Sequence, residues 1–252
     1  MREYQLQGQA AAAHARADGP DGKPAASQRA DFVRQFPLFS GVSSDDRKEI
    51  VLAAHGKKFL RRQTIFVEGD PVREVLLITA GCIKITQVGQ NGCEVILRLK
   101  GAGELVVSPG FRLGCNHCAT ARAIQFSTAL VWDASVFESI SERFPVLRRN
   151  SARILGECLL EMEERFREIS TERVAPRLSH ELVRLLNQVG RRLNGSVEIA
   201  LSRQELAQMT GTTLFTVSRL LSQWEKRGIV STRRGAVMVC NLQALIELAE
   251  VE

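Results

Sequence analysis

Three features of the 252-residue sequence predict an α+β fold: a long N-terminal stretch of short β-rich runs broken by glycine turns, a central apolar stripe at heptad spacing, and a C-terminal pair of short helices followed by two short strands. The boundaries that follow are 1–30 for a disordered tail, 31–143 for an all-β domain, 144–170 for a long helix, 171–243 for a helix-turn-helix domain with a two-stranded wing, and 244–252 for the end of a C-terminal helix.

The β assignment rests on five runs: Thr64–Val67, Val75–Ile78, Ile83–Ile85, Val95–Leu97 and Ala129–Val131. Between them stand turns at Gly69-Asp70, Gly81, Gly89 to Gly92 and Gly101 to Gly103, the pattern of a compact all-β roll or barrel. Ahead of it, Met1 to Ala30 is rich in alanine and glycine, carries Pro20 and Pro24, and lacks the apolar centre of a signal peptide. No apolar run approaches the roughly 20 residues a membrane-spanning helix requires. The expectation is a cytoplasmic protein with no membrane partner. Six cysteines in a chain of this length are too few for a disulfide-stapled scaffold.

The long helix is read from Ala152, Leu155, Leu159, Met162, Phe166 and Ile169, which recur three and four residues apart, the a/d rhythm of a coiled coil. A helix packed on its own domain would show the same stripe, so periodicity alone leaves the partner open.

The C-terminal part carries the most specific signal. Ser202 with Glu205 three residues later is a capping box that opens a helix in which Leu206 and Met209 face inward. Gly211 permits a sharp reversal, and Thr212 or Thr213 caps a second helix. On that helix Val217, Leu220, Leu221 and Trp224 form the buried stripe, while Thr213, Thr216, Arg219, Gln223 and Lys226 face away from it. Next, Ile229–Ser231 and Ala236–Val239 flank a turn of Thr232, Arg233, Arg234 and Gly235, a wing with two arginines at its tip. Such a pair of helices fits the DNA major groove, and the wing fits the phosphate backbone. An all-helical subdomain with a solvated charged face would share the amphipathic pattern; charge weighs against it. Residues 171–240 hold 11 Lys/Arg against 5 Glu, a surplus as large as the formal +6 of the whole chain.

With these residues in hand, the stretch FVEGDPVREVLLITAGCIKITQVGQNGCEVILRLKGAGEL resembles the cyclic-nucleotide-binding β-roll of the CRP/FNR superfamily of bacterial transcription regulators. Glu68-Gly69-Asp70, Gly81, Gly92 and Gly103-Glu104 stand in that family's order and spacing, and the winged helix is similarly placed. The resemblance covers roughly residues 35 to 245. It implies a double-stranded, jelly-roll-like β-roll as a sensor domain, the long helix as a homodimer interface, a palindromic double-stranded DNA operator, and RNA polymerase as a further partner. The implied DNA-contacting residues are Arg203, Thr213, Leu214, Phe215, Ser218, Arg219, Arg233 and Arg234. Arg219 matches the family's arginine, whose expected role is a bidentate contact to guanine; Leu214 and Phe215 cannot hydrogen-bond and would pack on thymine methyls, implying an altered operator.

The implied effector pocket comprises Leu97, Arg98, Val107, Ser108, His117 and Cys118. Family members that bind cyclic AMP place a glutamate where Val107-Ser108 falls and an arginine-serine pair where His117-Cys118 falls. Neither residue type is present, which disfavours cyclic AMP unless the loop realigns to bring in Arg112. In their place Cys115-Asn116-His117-Cys118 brackets a candidate metal site, with Cys115, Cys118 and His117 as ligands. Zinc, an iron-sulfur cluster and a redox-sensitive thiol pair are the alternatives. The reader-helix wording is similar to nitrogen-oxide-responsive regulators, some of which use haem; His55, His117, Cys115 or Cys118 would then be the axial ligand. The family's oxygen-sensing branch carries its cluster cysteines in an N-terminal extension, and Met1 to Ala30 has none.

The leading expectation is therefore a non-enzymatic, homodimeric transcription regulator under effector, redox or gas control. Two other classes compete: a thiol oxidoreductase using Cys115 and Cys118, and a cyclic-nucleotide module that never touches DNA. The first lacks a helix start after a strand to depress a thiol pKa, and the basic winged helix argues against the second.

Overall fold

The computed structural model describes residues 26–106, 114–193 and 196–250. Among these the chain divides into two compact units, one holding residues up to Gln87 together with Leu97–Glu161, the other holding Val88–Ile96 and the residues from Met162 onward.

The first unit opens with helix α1 (Ala26–Val33), a 3-10 turn at Pro37–Phe39 and helix α2 (Ser44–Leu52), whose N-cap Ser43 accepts a hydrogen bond from the Asp46 amide. Residues 26–30, expected within a disordered tail, are thus helical. Val33, at 0% exposure, packs into the cluster around Phe36, Phe39, Ile50 and Trp132, and Ala30 is buried at 1%. Three or four apolar groups recurring on one face were enough to order the segment, and the alanine-rich composition before it masked them.

Eight strands follow: β1 (His55–Phe59), β2 (Thr64–Phe66), β3 (Glu74–Ala80), β4 (Ile83–Val88), β5 (Glu94–Lys100), β6 (Leu105–Val106), β7 (Thr120–Ala123) and β8 (Ser127–Asp133). They form two four-stranded sheets, in the orders β1-β8-β3-β6 and β2-β7-β4-β5, with antiparallel pairing in every recorded register. Four of the five runs read from sequence lie within β3, β4, β5 and β8, and the first, Thr64–Val67, overruns β2 by one residue; β1, β6 and β7 were not legible. Phe59, Leu76, Ile78, Ile83, Ala121, Ala123 and Val131 fill one core cluster of the roll. Gly81 turns β3 into β4 at φ +96°, and a Cβ there would lie 2.2 Å from the Ser127 hydroxyl oxygen. Only glycine serves at that position.

After β8 come α3 (Ala134–Arg143) and the long helix α4 (Pro145–Thr171). The buried Asn150 side chain pins α4 to the first unit by donating to the carbonyls of Leu38 (2.9 Å) and Ser40 (2.7 Å). Further along, Leu155, Leu159, Phe166 and Ile169 stand exposed in the single chain, Phe166 at 74%.

The second unit contains α5 (Val174–Val189), β9 (Arg191–Leu193), β10 (Ser196–Ile199), α6 (Arg203–Thr210), α7 (Leu214–Lys226), β11 (Val230–Arg233), β12 (Ala236–Val239) and α8 (Leu242–Glu250). Its sheet has the order β11-β12-β10-β9, so the expected two-stranded wing is half of a four-stranded antiparallel sheet. The other half escaped notice because Arg191-Arg192-Leu193 shows no apolar run. Helix α8 begins at Leu242, and Leu245 is fully buried against α5, where the Ser179 hydroxyl donates to the Leu245 carbonyl.

Candidate nucleic-acid interface and sensor site

The reader is built from local signals. Ser202 caps α6 reciprocally: its hydroxyl accepts from the Glu205 amide (3.2 Å), and the Glu205 carboxylate accepts from the Ser202 amide (2.8 Å). Helix α6 ends at Gly211, whose left-handed backbone (φ 61°, ψ 42°) is followed by the Thr212 amide donating to the Ala207 carbonyl (3.1 Å), the bond of a Schellman closure. Thr213 then caps α7, its hydroxyl accepting from the Thr216 amide (3.2 Å). Val217, Leu220, Leu221 and Trp224 are buried, as the spacing predicted. Leu214, Phe215 and Arg219 stand exposed on the first two turns, Phe215 at 85%, and Ser218 is half-buried beside them.

Arg233 ends β11 and Arg234 occupies the turn before Gly235, both exposed. The turn is thus tighter than the four residues expected. Arg203 is placed differently from an outward-facing phosphate ligand: it is half-buried and donates to the Thr232 hydroxyl (3.0 Å), while Glu225 accepts from the Thr232 amide (2.7 Å). The Glu225–Thr232–Arg203 chain braces the wing against both helices. Sequence reading missed Glu225, since its partner Thr232 lies 7 positions away across the turn into β11 and no local pattern marks the pair.

Nor does all of the basic surplus face outward. Arg177 is 8% exposed and donates to the carbonyls of Thr210 (2.8 Å), Glu172 (3.0 Å) and Ile169 (3.4 Å), fastening the end of α6 to the α4–α5 junction. Arg184 forks onto Glu168 (2.6 and 2.7 Å) and Glu181 (2.7 Å). Burial opposes its charge, but these two carboxylates outweigh burial and raise the guanidinium pKa above its ordinary value. Arg173, Arg191, Arg192, Arg219, Lys226, Arg227, Arg233 and Arg234 remain exposed.

In the first unit the segment around His117 runs extended along the Gly69–Val72 turn. The His117 amide donates to the Asp70 carbonyl (2.8 Å), the Gly69 amide to the His117 carbonyl (2.8 Å), and Pro71 bridges Asn116. An extended backbone sends successive side chains to opposite faces. His117 therefore points inward, 5% exposed and stacked on the Phe66 ring at 3.5 Å, while Cys118 is exposed and Cys115 half-buried. Burial lowers the His117 pKa, opposed in part by Asp70. The proposed metal ligands are consequently separated. Cys118 is exposed where His117 is buried, and among the described residues no three His, Cys, Asp or Glu side chains converge as a metal site. The donor set does not fit zinc or an iron-sulfur cluster. His55, the other histidine considered for haem, stands exposed at the start of β1.

Alternation also divides the expected effector pocket. Leu97 and Arg98, adjacent on β5, cannot line the same face, and neither can His117 and Cys118. Val107, Ser108 and Arg112 lie outside the described residues.

Comparison with known proteins agrees with this architecture. Residues 56–144 match the family model of the cyclic nucleotide-binding domain, and residues 172–248 that of the Crp-like helix-turn-helix domain. The chain is 26% identical over 217 residues to the cyclic AMP receptor protein of Thermus thermophilus, covering 86% of this chain and 98% of that protein. It is 27% identical over 199 residues to the fumarate and nitrate reduction regulatory protein of Vibrio cholerae, covering 77% of this chain and 78% of that one. The solved structure of FixK2 from Bradyrhizobium japonicum, 21% identical, superposes with a TM-score of 0.69 over 79% of this chain and 98% of its own and shares the fold. Among the described residues no helix is long and apolar enough to cross a membrane. Carrying a cyclic-nucleotide-binding-type domain followed by a DNA-binding helix-turn-helix, the chain belongs to the CRP/FNR superfamily of transcription regulators.

Proposed function

We propose that the protein is a homodimeric, sequence-specific transcription regulator of the cytoplasm, in which a signal received by the N-terminal roll governs operator binding by α7. The observation that carries this reading is the surface of α7. A doubly capped turn presents Leu214, Phe215 and Arg219 on its first two turns, beside exposed Arg233 and Arg234 on the wing. Arg219 is long enough and free enough to fork onto a guanine edge, Leu214 and Phe215 supply apolar contact for thymine methyls, and the wing arginines supply phosphate contacts. Thr213 serves as the helix cap, Ser218 lies at the groove-facing edge, and Arg203 acts by holding the wing. Two copies joined along α4 would present two readers to a palindrome, and contact with RNA polymerase would follow from placement on a promoter.

Cyclic AMP does not suit the roll. Where cyclic AMP-binding members carry an arginine, this chain has His117, buried and stacked, and a neutral imidazole offers no fixed cation to a cyclic phosphate. Cys118, the exposed neighbour, remains as a thiol open to oxidation.

The test is selection of duplexes from a random pool, followed by gel-shift titration over a range of salt. A palindromic consensus bound with a steep salt dependence is the expected result. Binding without sequence preference, or no binding at any salt, would remove the assignment.

A further inference from the structure

Where β5 meets α4 the fold brings an amine and a thiol into contact. Lys100 ends β5 and Cys158 lies on α4, 58 positions away, and the Lys100 Nζ donates to the Cys158 Sγ at 3.5 Å. Both residues belong to the unit that holds the roll. The same Nζ donates to Glu104 Oε1 at 3.0 Å, and the other oxygen of that carboxylate accepts from the Gly101 amide at 2.6 Å. Glu104 thus holds the head of the lysine at the turn that follows its own strand, with the sulfur as its second neighbour.

Packing fixes the contact from both sides. The Lys100 side chain is 8% exposed. On α4, Asn150, Ile154 and Cys158 recur one turn apart: Asn150 bonds the Leu38 and Ser40 carbonyls, Ile154 packs on the cluster around Trp132, and Cys158 meets Lys100. The sulfur is half-buried, so it is held against the roll and still open to a small solute. The Cys240 sulfur, by contrast, faces the Met238 carbonyl at 3.9 Å, and a carbonyl oxygen supplies no nitrogen nucleophile. A thiol oxidised by a peroxide becomes a sulfenic acid, which condenses with a thiol or a nitrogen placed beside it. Contact in the folded state gives such a reaction the advantage of an intramolecular step.

We propose that Lys100 and Cys158 form a peroxide-driven, reversible sulfenamide crosslink between β5 and α4. In the first step hydrogen peroxide gives one oxygen to the Cys158 sulfur: the O–O bond breaks, an S–O bond forms, sulfur is oxidised by two electrons, and the thiol proton leaves with the other oxygen as water. In the second step the Lys100 ammonium passes a proton to the Glu104 carboxylate, and the freed amine attacks the sulfenic sulfur. The S–N bond forms as the S–O bond breaks. Of the two protons that nitrogen loses, one leaves with the hydroxyl as water and the other passes from Glu104 to solvent. A thiol reductant reverses the link: one thiol cleaves the S–N bond and returns the amine, and a second releases Cys158 from the mixed disulfide. The bond ties α4 to the roll on the turn that carries the exposed Leu155 and Leu159.

The experiment is peptide mapping by mass spectrometry of the full-length protein, reduced, freed of reductant, and treated with hydrogen peroxide in the presence of dimedone, which traps sulfenic acids. The expected product is the peptide holding Cys158 joined to the peptide holding Lys100, two hydrogens lighter than the two together, with fragment ions locating the bond at Sγ and Nζ. It should disappear on treatment with dithiothreitol. In Lys100→Arg, which keeps a cation beside Glu104 but has no amine to condense, the joined peptide should be absent and Cys158 should carry dimedone. Should that variant fail to fold, the fragment ions of the parent decide alone. A dimedone adduct on Cys158 of the parent with Lys100 unlinked, a Cys158 left as free thiol at doses that oxidise the exposed Cys118, or a disulfide from Cys158 to another cysteine would overturn the crosslink. A joined peptide carrying one extra oxygen would overturn the S–N bond. No DNA enters the measurement, so its outcome is independent of operator binding.

Discussion

Arg219 is the residue on which sequence discrimination should turn. It is exposed on the second turn of a capped helix whose buried stripe fixes its direction. Arg219→Ala should weaken operator binding by about 1–3 kcal/mol and relax specificity at one base position, whereas Lys226→Ala should weaken all duplexes alike. Gel-shift titrations on operator and random duplex distinguish these outcomes, and an unaltered operator affinity after Arg219→Ala would end the assignment. His117 makes a prediction about pH. Burial holds its folded-state pKa below the ordinary 6.5, so in the folded protein the neutral ring is favoured. As pH falls below 6.5 the unfolded chain takes up a proton before the folded one does. The stability tied to His117 is therefore complete above 6.5 and declines as pH falls toward the folded value. His117→Gln should flatten that decline: thermal midpoints at pH 7.5 and 5.5 should lie closer together in the variant than in the parent. An identical drop in both proteins contradicts the buried neutral imidazole. The position of this histidine was legible in sequence, but its burial was not, because its stacking partner Phe66 is 51 positions away.

Elements defined by local chemistry were the legible ones. The capping box at Ser202, the reversal at Gly211 and the stripe of α7 all depend on residues within four positions of one another. Ser202→Ala should lower stability by about 1 kcal/mol, since the Glu205 amide loses its acceptor. Elements whose reason for being is tertiary were not legible. Strand β1 reads His-Gly-Lys-Lys-Phe, with no alternation strong enough to announce a strand, and exists because β8 offers it a full antiparallel edge from His55↔Val131 to Phe59↔Ser127. Strand β7, Thr-Ala-Arg-Ala, is similarly defined by its neighbours β2 and β4. Arg177 is the strongest case. Counted by sequence as part of a basic surface, it serves three carbonyls from 5 to 33 positions away. Arg177→Met should leave those acceptors buried without a donor and lower unfolding stability by about 3 kcal/mol, measured by urea titration, with operator affinity falling as the end of α6 loosens. A variant as stable as the parent would show that water reaches those carbonyls.

At the scale of the whole molecule, the order of roll, long helix and reader was legible because each part carries its own pattern, while the placing of Arg122 opposite Lys84 was not, because only the register of β7 on β4 brings them together. The long helix joins the two kinds of information. Its heptad spacing is local, but what covers it lies outside the single chain: Leu155, Leu159, Phe166 and Ile169 are all more than 40% exposed. Fully burying a leucine or phenylalanine contributes about 1.5–3 kcal/mol, and a two-fold interface counts each residue twice, so even partial burial of Leu159 and Phe166 amounts to several kcal/mol of association. Replacing both with glutamate removes that gain and places four carboxylates in one seam. The double variant should sediment as a monomer at concentrations where the parent sediments as a dimer. Since α7 and the wing are untouched, its affinity for an isolated half-site should stay near that of the parent, while binding to the full palindrome should lose the joint contribution of two readers. A monomer that still binds the palindrome as tightly as the parent would separate dimerisation from recognition, and a variant that remains a dimer would move the interface off α4.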